Sequence, residues 1–88
     1  QPQIASVRVV PQAWLNPLPL AELFAKPQPI EVDLGCGKGR FLLERARTHP
    51  GVNFLGIDRM LRRIRKIDNK ARRLGRANIR LLRVEGYY

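Results

Sequence analysis

A run of seven residues, Asp33-Leu34-Gly35-Cys36-Gly37-Lys38-Gly39, constrains the fold of this chain more than any other feature. A β-prone segment, Ile30-Glu31-Val32-Asp33-Leu34, leads into it, and a helix-prone segment from Gly39 to Thr48 leads out. Glycines at three alternate positions let the backbone turn sharply and let a ligand come close. The helix beyond offers unpaired N–H groups at the positive end of its dipole. Glycines also make ordinary turns, so it is the strand before and the helix after that favour a ligand-binding loop.

The rest of the chain continues the alternation. Phe41, Leu42, Leu43 and Ala46 fall on or near one face of the first helix, and His49-Pro50-Gly51 ends it. His49 reads as a helix-end residue, favourable near the negative end of the dipole. Asn53-Phe54-Leu55-Gly56-Ile57 reads as a second strand, closed by Asp58. Over 59–74, Met60, Ile64, Ile67, Ala71 and Leu74 recur at helical spacing, and Gly75 stands where a C-terminal cap belongs. Ile79 to Val84 reads as a third strand, followed by Glu85-Gly86. Strands alternating with helices pair in parallel through right-handed crossovers. The expected fold is therefore α/β, the N-terminal half of a Rossmann-like doubly wound parallel sheet, β-α-β-α-β, with strand order 3-2-1. A complete sheet has further strands beyond the first, so the chain reads as truncated or as completed by a partner. Such an uncovered edge predicts self-association.

Residues 1–29 read as a lead-in that holds six of the seven prolines. Proline removes backbone donors and breaks helices, so only short pieces are expected there: an extended one at Val7 to Val10 and a helical turn or two at Leu20 to Ala25. Residues 30–88 form the partial ligand-binding domain.

Composition narrows the partners. At 88 residues and 44% hydrophobic content the chain suits one small globular domain. It has no apolar run near the roughly 20 residues of a membrane span and no signal-peptide pattern. The single cysteine, Cys36, cannot form an intrachain disulfide, so a cytoplasmic location is the default reading, and no metal site is expected. The net charge is +10. Residues 59–83 carry 11 of the 17 basic side chains and one acid, Asp68. A basic run is often just a solvated helix face, but this density, mostly arginine, suits nucleic-acid phosphate.

The loop discriminates among ligands. A dinucleotide fingerprint needs a third glycine where Arg40 stands, and a P-loop needs Ser or Thr where Gly39 follows Lys38. Asp33, two residues before the first glycine, repels phosphate and attracts a cationic amino or sulfonium group, as in S-adenosylmethionine. Asp58 ends the second strand, 23 residues after Gly35, where an acid accepts hydrogen bonds from ribose hydroxyls or caps the next helix. Glu85 ends the third strand at the same sheet edge. The candidate cofactor-binding set is Asp33, Gly35, Gly37, Gly39, Asp58 and Glu85. Lys38 and Arg40 are either RNA-phosphate contacts or solvated, and Trp14 is read as packing.

Three stretches, Glu31 to Gly39, Asn53-Phe54-Leu55-Gly56-Ile57-Asp58 and Asn78 to Glu85, together resemble the bacterial tRNA (guanine-N7)-methyltransferase family. The resemblance covers residues 30–88, with a fainter likeness at Asn16-Pro17-Leu18 and Leu23-Phe24. It implies S-adenosylmethionine contacts at Asp33, Asp58 and Glu85, a tRNA substrate, and methyl transfer to guanine N7. The family often has Glu at the first two of these positions and Asp at the third, so the acids here are exchanged in length but not in charge. Its aromatic-Asp-Pro-Trp-type segment has no counterpart in these residues, and no catalytic residue is assigned. The competing readings are a non-catalytic nucleic-acid-binding module built on the Arg-rich helix at 59–76 and, disfavoured by Arg40, half of a nicotinamide-dependent oxidoreductase.

Overall fold

The computed structural model describes residues 3–9 and 20–85. Trp14, the Asn16-Pro17-Leu18 likeness, Val10, Gly86 and the two terminal tyrosines lie outside the described residues. The elements run β1 (Arg8–Val9), a 3₁₀ turn (Leu20–Leu23), β2 (Ile30–Leu34), α1 (Arg40–Thr48), β3 (Asn53–Asp58), α2 (Leu61–Leu74) and β4 (Ile79–Arg83). All strand pairs are parallel, in the order β1-β4-β3-β2. The three strands expected from sequence stand in the expected 3-2-1 order, and the fold is α/β and Rossmann-like. The proline-punctuated lead-in adds a further strand, because the Leu81 amide donates to the Val7 carbonyl.

Strand alternation divides the sheet's side chains between two faces. On one face Val7, Phe54, Ile79 and Leu81 meet Leu42 and Ala46 of α1 and Ile64, Ile67 and Ala71 of α2. This is the main core, and both helices lie on it. On the other face Leu55 and Leu82 are covered by Phe24, with Ile30, Ile57 and Val84 around them. Val32 and Leu34 of β2 remain exposed there, at 47% and 61%. Among the described residues no strand pairs with the outer side of β2.

Two buried polar side chains knit the lead-in to the rest. Asp68, the lone acid of the basic run, accepts from the Val7 amide at 2.8 Å and the Ser6 hydroxyl at 2.9 Å. Asn53 donates to the Lys26 carbonyl and accepts from the Gln28 side chain, both at 2.8 Å. A buried polar group left without a partner costs about 1–3 kcal/mol, so each fixes its neighbour in place.

Two local expectations change. Helix α2 begins at Leu61 rather than at residue 59, since the Met60 amide is held by the Asp58 side chain and Met60 keeps an extended backbone. Phe41 does not join the core: it is 66% exposed, with the Arg45 guanidinium 5.7 Å from its ring. Gly75 caps α2 in the left-handed region at φ 68°, and His49 caps α1, as their sequence positions suggest.

Candidate functional site

The glycine loop is fixed to the end of β3 from below. The Gly35 and Cys36 amides both donate to the Ile57 carbonyl, at 2.7 and 3.1 Å, and the Gly39 amide closes the turn onto the Cys36 carbonyl. Gly35, Gly37 and Gly39 all have positive φ, at 68°, 57° and 77°. Only glycine adopts such angles without strain. Gly39 has a second reason to lack a side chain: an added Cβ would lie 2.6 Å from Cγ1 of Ile67. It lets α1 start against α2. Helix α1 opens with no side-chain cap and no acid in its first turn.

Asp58 ties this loop to α2. One carboxylate oxygen accepts from the Gly37 amide at 3.0 Å, and the other accepts from the Met60 amide at 2.9 Å. The Arg63 guanidinium stands 3.7 Å away, and the Asp58 side chain is only 3% exposed. Burial alone pushes its carboxyl up, but the Met60 and Gly37 amides and the Arg63 charge outweigh this and hold it below the ordinary range. Asp58 is therefore not the N-cap of α2, which is Met60.

Asp33 differs. Among the described residues its carboxylate has neither a hydrogen bond nor an ion pair. Partial burial, and then repulsion from Glu31, push its carboxyl up. Glu31 itself is held by a bidentate pair to Arg45 at 2.7 and 2.8 Å. Between the acids sits Cys36, whose thiol is pushed up to about 12 by burial and by the charges of Asp58 and Asp33. It stays protonated and fills the loop, which leaves it unreactive.

The strand register arranges the acids as a staircase. Asp33 pairs with Gly56, and Asp58 lies two residues further along; Asp58 pairs with Arg83, and Glu85 again lies two residues further. Each step is about 6.6 Å along the strand. All three have the parity of the helix-bearing face. Asp58 and Gly37 are in direct contact, and Asp33 shares the surroundings of Cys36 with Asp58. Glu85 stands apart, 75% exposed at its side chain and paired with Arg83 at 2.6 Å.

Sequence reasoning missed Gly56 and Arg63. A Cβ on Gly56 would lie 2.6 Å from Leu42 and 3.3 Å from the Cys36 sulfur, so its bare backbone makes room for α1 and the loop. A glycine inside a strand was the available signal. Arg63 was hidden among its basic neighbours.

Lys38, Arg40, Arg62, Arg63, Lys66 and Lys70 line a cavity of about 320 Å³ beside the loop. No described helix is long and apolar enough to cross a membrane.

Known proteins similar to this chain are methyltransferases. A family model described as "Putative methyltransferase" matches residues 27–88. The chain is 43% identical over 61 residues to a tRNA (guanine-N(7)-)-methyltransferase of Geobacillus kaustophilus, covering 69% of this chain and 28% of that protein. It is 40% identical over 65 residues to one of Enterococcus faecalis, covering 74% of this chain and 30% of that protein. The match to one of Limosilactobacillus fermentum is 51% over 37 residues, or 42% of this chain and 17% of that protein. The chain thus spans less than a third of the length of these relatives. They do not favour a non-catalytic nucleic-acid module. With the family model covering most of its length, from just before β2 onward, the chain belongs to this methyltransferase family.

Proposed function

We propose that this chain carries the S-adenosylmethionine-binding half of a methyltransferase that forms N7-methylguanine in tRNA. The observation that carries the reading is the glycine loop pinned to β3 by Asp58, with the unpaired Asp33 carboxylate at its entrance. A partly desolvated carboxylate without a counter-ion suits a cationic ligand and opposes phosphate. The residues therefore fit a sulfonium cofactor with a free amino group, and fit a dinucleotide poorly.

In this reading Asp33 receives the cationic amino end, and the backbone of Gly35 and Gly37 lets the ligand approach. Gly39 sets the start of α1. Asp58 is the post that positions Gly37, and each of its oxygens, accepting one amide, keeps a lone pair for a ribose hydroxyl. Glu85 reaches the ligand by exchanging its pair with Arg83. When bound, S-adenosylmethionine supplies an electrophilic methyl group. Guanine N7 already carries a lone pair, so alignment matters more than a strong base. The names of the relatives support tRNA as substrate. A tRNA substrate in turn favours a cytoplasmic setting, and the outer side of β2, unpaired among the described residues, supports self-association.

Calorimetry on the full-length protein tests the reading. S-adenosylhomocysteine is expected to bind and NAD is not; heat from NAD alone overturns it. Incubation with unmodified tRNA and S-adenosylmethionine should yield N7-methylguanine.

A further inference from the structure

The strongest feature outside the cofactor loop is the trough between α1 and α2. Six cationic side chains line it: Lys38 from the glycine loop, Arg40 from the start of α1, and Arg62, Arg63, Lys66 and Lys70 from α2. Four of the seven acids are engaged elsewhere. Glu31 pairs with Arg45, Glu44 with Arg47, Glu85 with Arg83, and Asp68 is buried against Ser6 and Val7. Asp58 contributes through Arg63 at 3.7 Å, and among the described residues Asp33 and Glu22 form no ion pair with any of the six cations. Among the described residues, Lys38, Arg40, Arg62, Lys66 and Lys70 have no acidic partner. Concentrating like charges in one concavity costs self-repulsion unless an anion is bound there.

The geometry favours an extended anion over a compact one. Arg62, Lys66 and Lys70 follow one another at helical spacing, about 6 Å apart along the axis of α2. This makes a row running from the carboxyl edge of the sheet down the helix, a shape that successive backbone phosphates can follow. Lys38 and Arg40 flank Gly39, so the row begins at the mouth of the cofactor loop.

We propose that this trough is a track for the phosphodiester backbone of the substrate RNA, leading to the cofactor loop. The proposal rests on the tRNA methyltransferase reading for the identity of the RNA, but the track itself is tested separately. It assigns the basic run a surface: the α1 side of α2 holds RNA, and the flank carrying Arg65 does not.

The test compares two charge-matched double variants of the full-length protein. Lys66→Gln with Lys70→Gln alters the trough; Lys26→Gln with Arg65→Gln removes the same charge outside it. Unmodified tRNA binding is measured by filter retention across a salt series. The trough pair is expected to weaken binding at least roughly tenfold and to lower the slope of log affinity against log salt by about 1.4–1.8. The control pair should change either quantity far less. Equal losses in both pairs, or no loss in the trough pair, overturn the track. Circular dichroism and S-adenosylhomocysteine calorimetry accompany each variant. Trough-dependent RNA binding without cofactor binding would sink the methyltransferase reading and leave the track standing.

Discussion

Asp33 and Asp58 end neighbouring strands yet shift in opposite directions, and the difference is measurable. Asp58 is held below the ordinary range against the pull of burial, so its stabilisation is present above the unfolded value near pH 3.9 and is lost as pH falls through the lower folded value. Asp58→Asn should cost about 1–3 kcal/mol at pH 7, and urea melts at pH 3 should show a smaller gap from wild type. Asp33 runs the other way. Its folded carboxyl is raised, so any stabilisation belongs to the protonated form and is lost as pH rises through the folded value. Asp33→Asn should therefore leave the melting temperature at pH 7 equal or higher. In calorimetry it should weaken S-adenosylhomocysteine binding at least about tenfold, or ~1.4 kcal/mol. A stabler variant that binds as well as wild type would remove Asp33 from the site. At this scale the sequence shows which acids stand at strand ends. It does not show that Asp58 lies under the loop, because the Gly37 amide it holds is 21 positions away; the Arg83–Glu85 pair, two positions apart on one strand end, was within its reach.

At the scale of elements, α1 and α2 are coupled where Gly39 meets Ile67. Gly39→Ala meets two obstacles: a positive φ, and a Cβ 2.6 Å from a core side chain. Together these should cost roughly 2–4 kcal/mol in chemical denaturation. Adding Ile67→Val removes Cδ1, at 2.9 Å, but leaves Cγ1 and the backbone strain in place, so it should recover only part; full recovery would place the whole cost at Cδ1. The main strands and helices were legible from periodicity and the turn signals at Pro50 and Gly75. The start of α2 was not, since a side chain two residues upstream takes the Met60 amide. Phe41 misled because an apolar residue next to a core position need not face inward, and here it lies by Arg45.

For the molecule as a whole, the sheet is covered unequally. Among the described residues both helices lie on one face, while Val32 and Leu34 are exposed on the other and no strand pairs with the outer side of β2. Self-association should follow, visible by analytical ultracentrifugation as a rise in mass with concentration. Val32→Lys should reduce it, as a charge on an edge strand does, with an unchanged circular dichroism spectrum. The uncovered edge could be anticipated from strand order. The role of the lead-in could not, since a two-residue strand carries no periodicity and its hold depends on Asp68. That bond between Val7 and Asp68 spans 61 positions. It also dictates an order of events during synthesis. The segment that leaves the ribosome early has neither Asp68 nor β4 to receive it, and must wait, unpaired, until the later elements emerge. Closure of the β1 edge thus depends on the most distant contacts among the described residues, the kind that forms slowly and exposes a nascent polypeptide to mispairing.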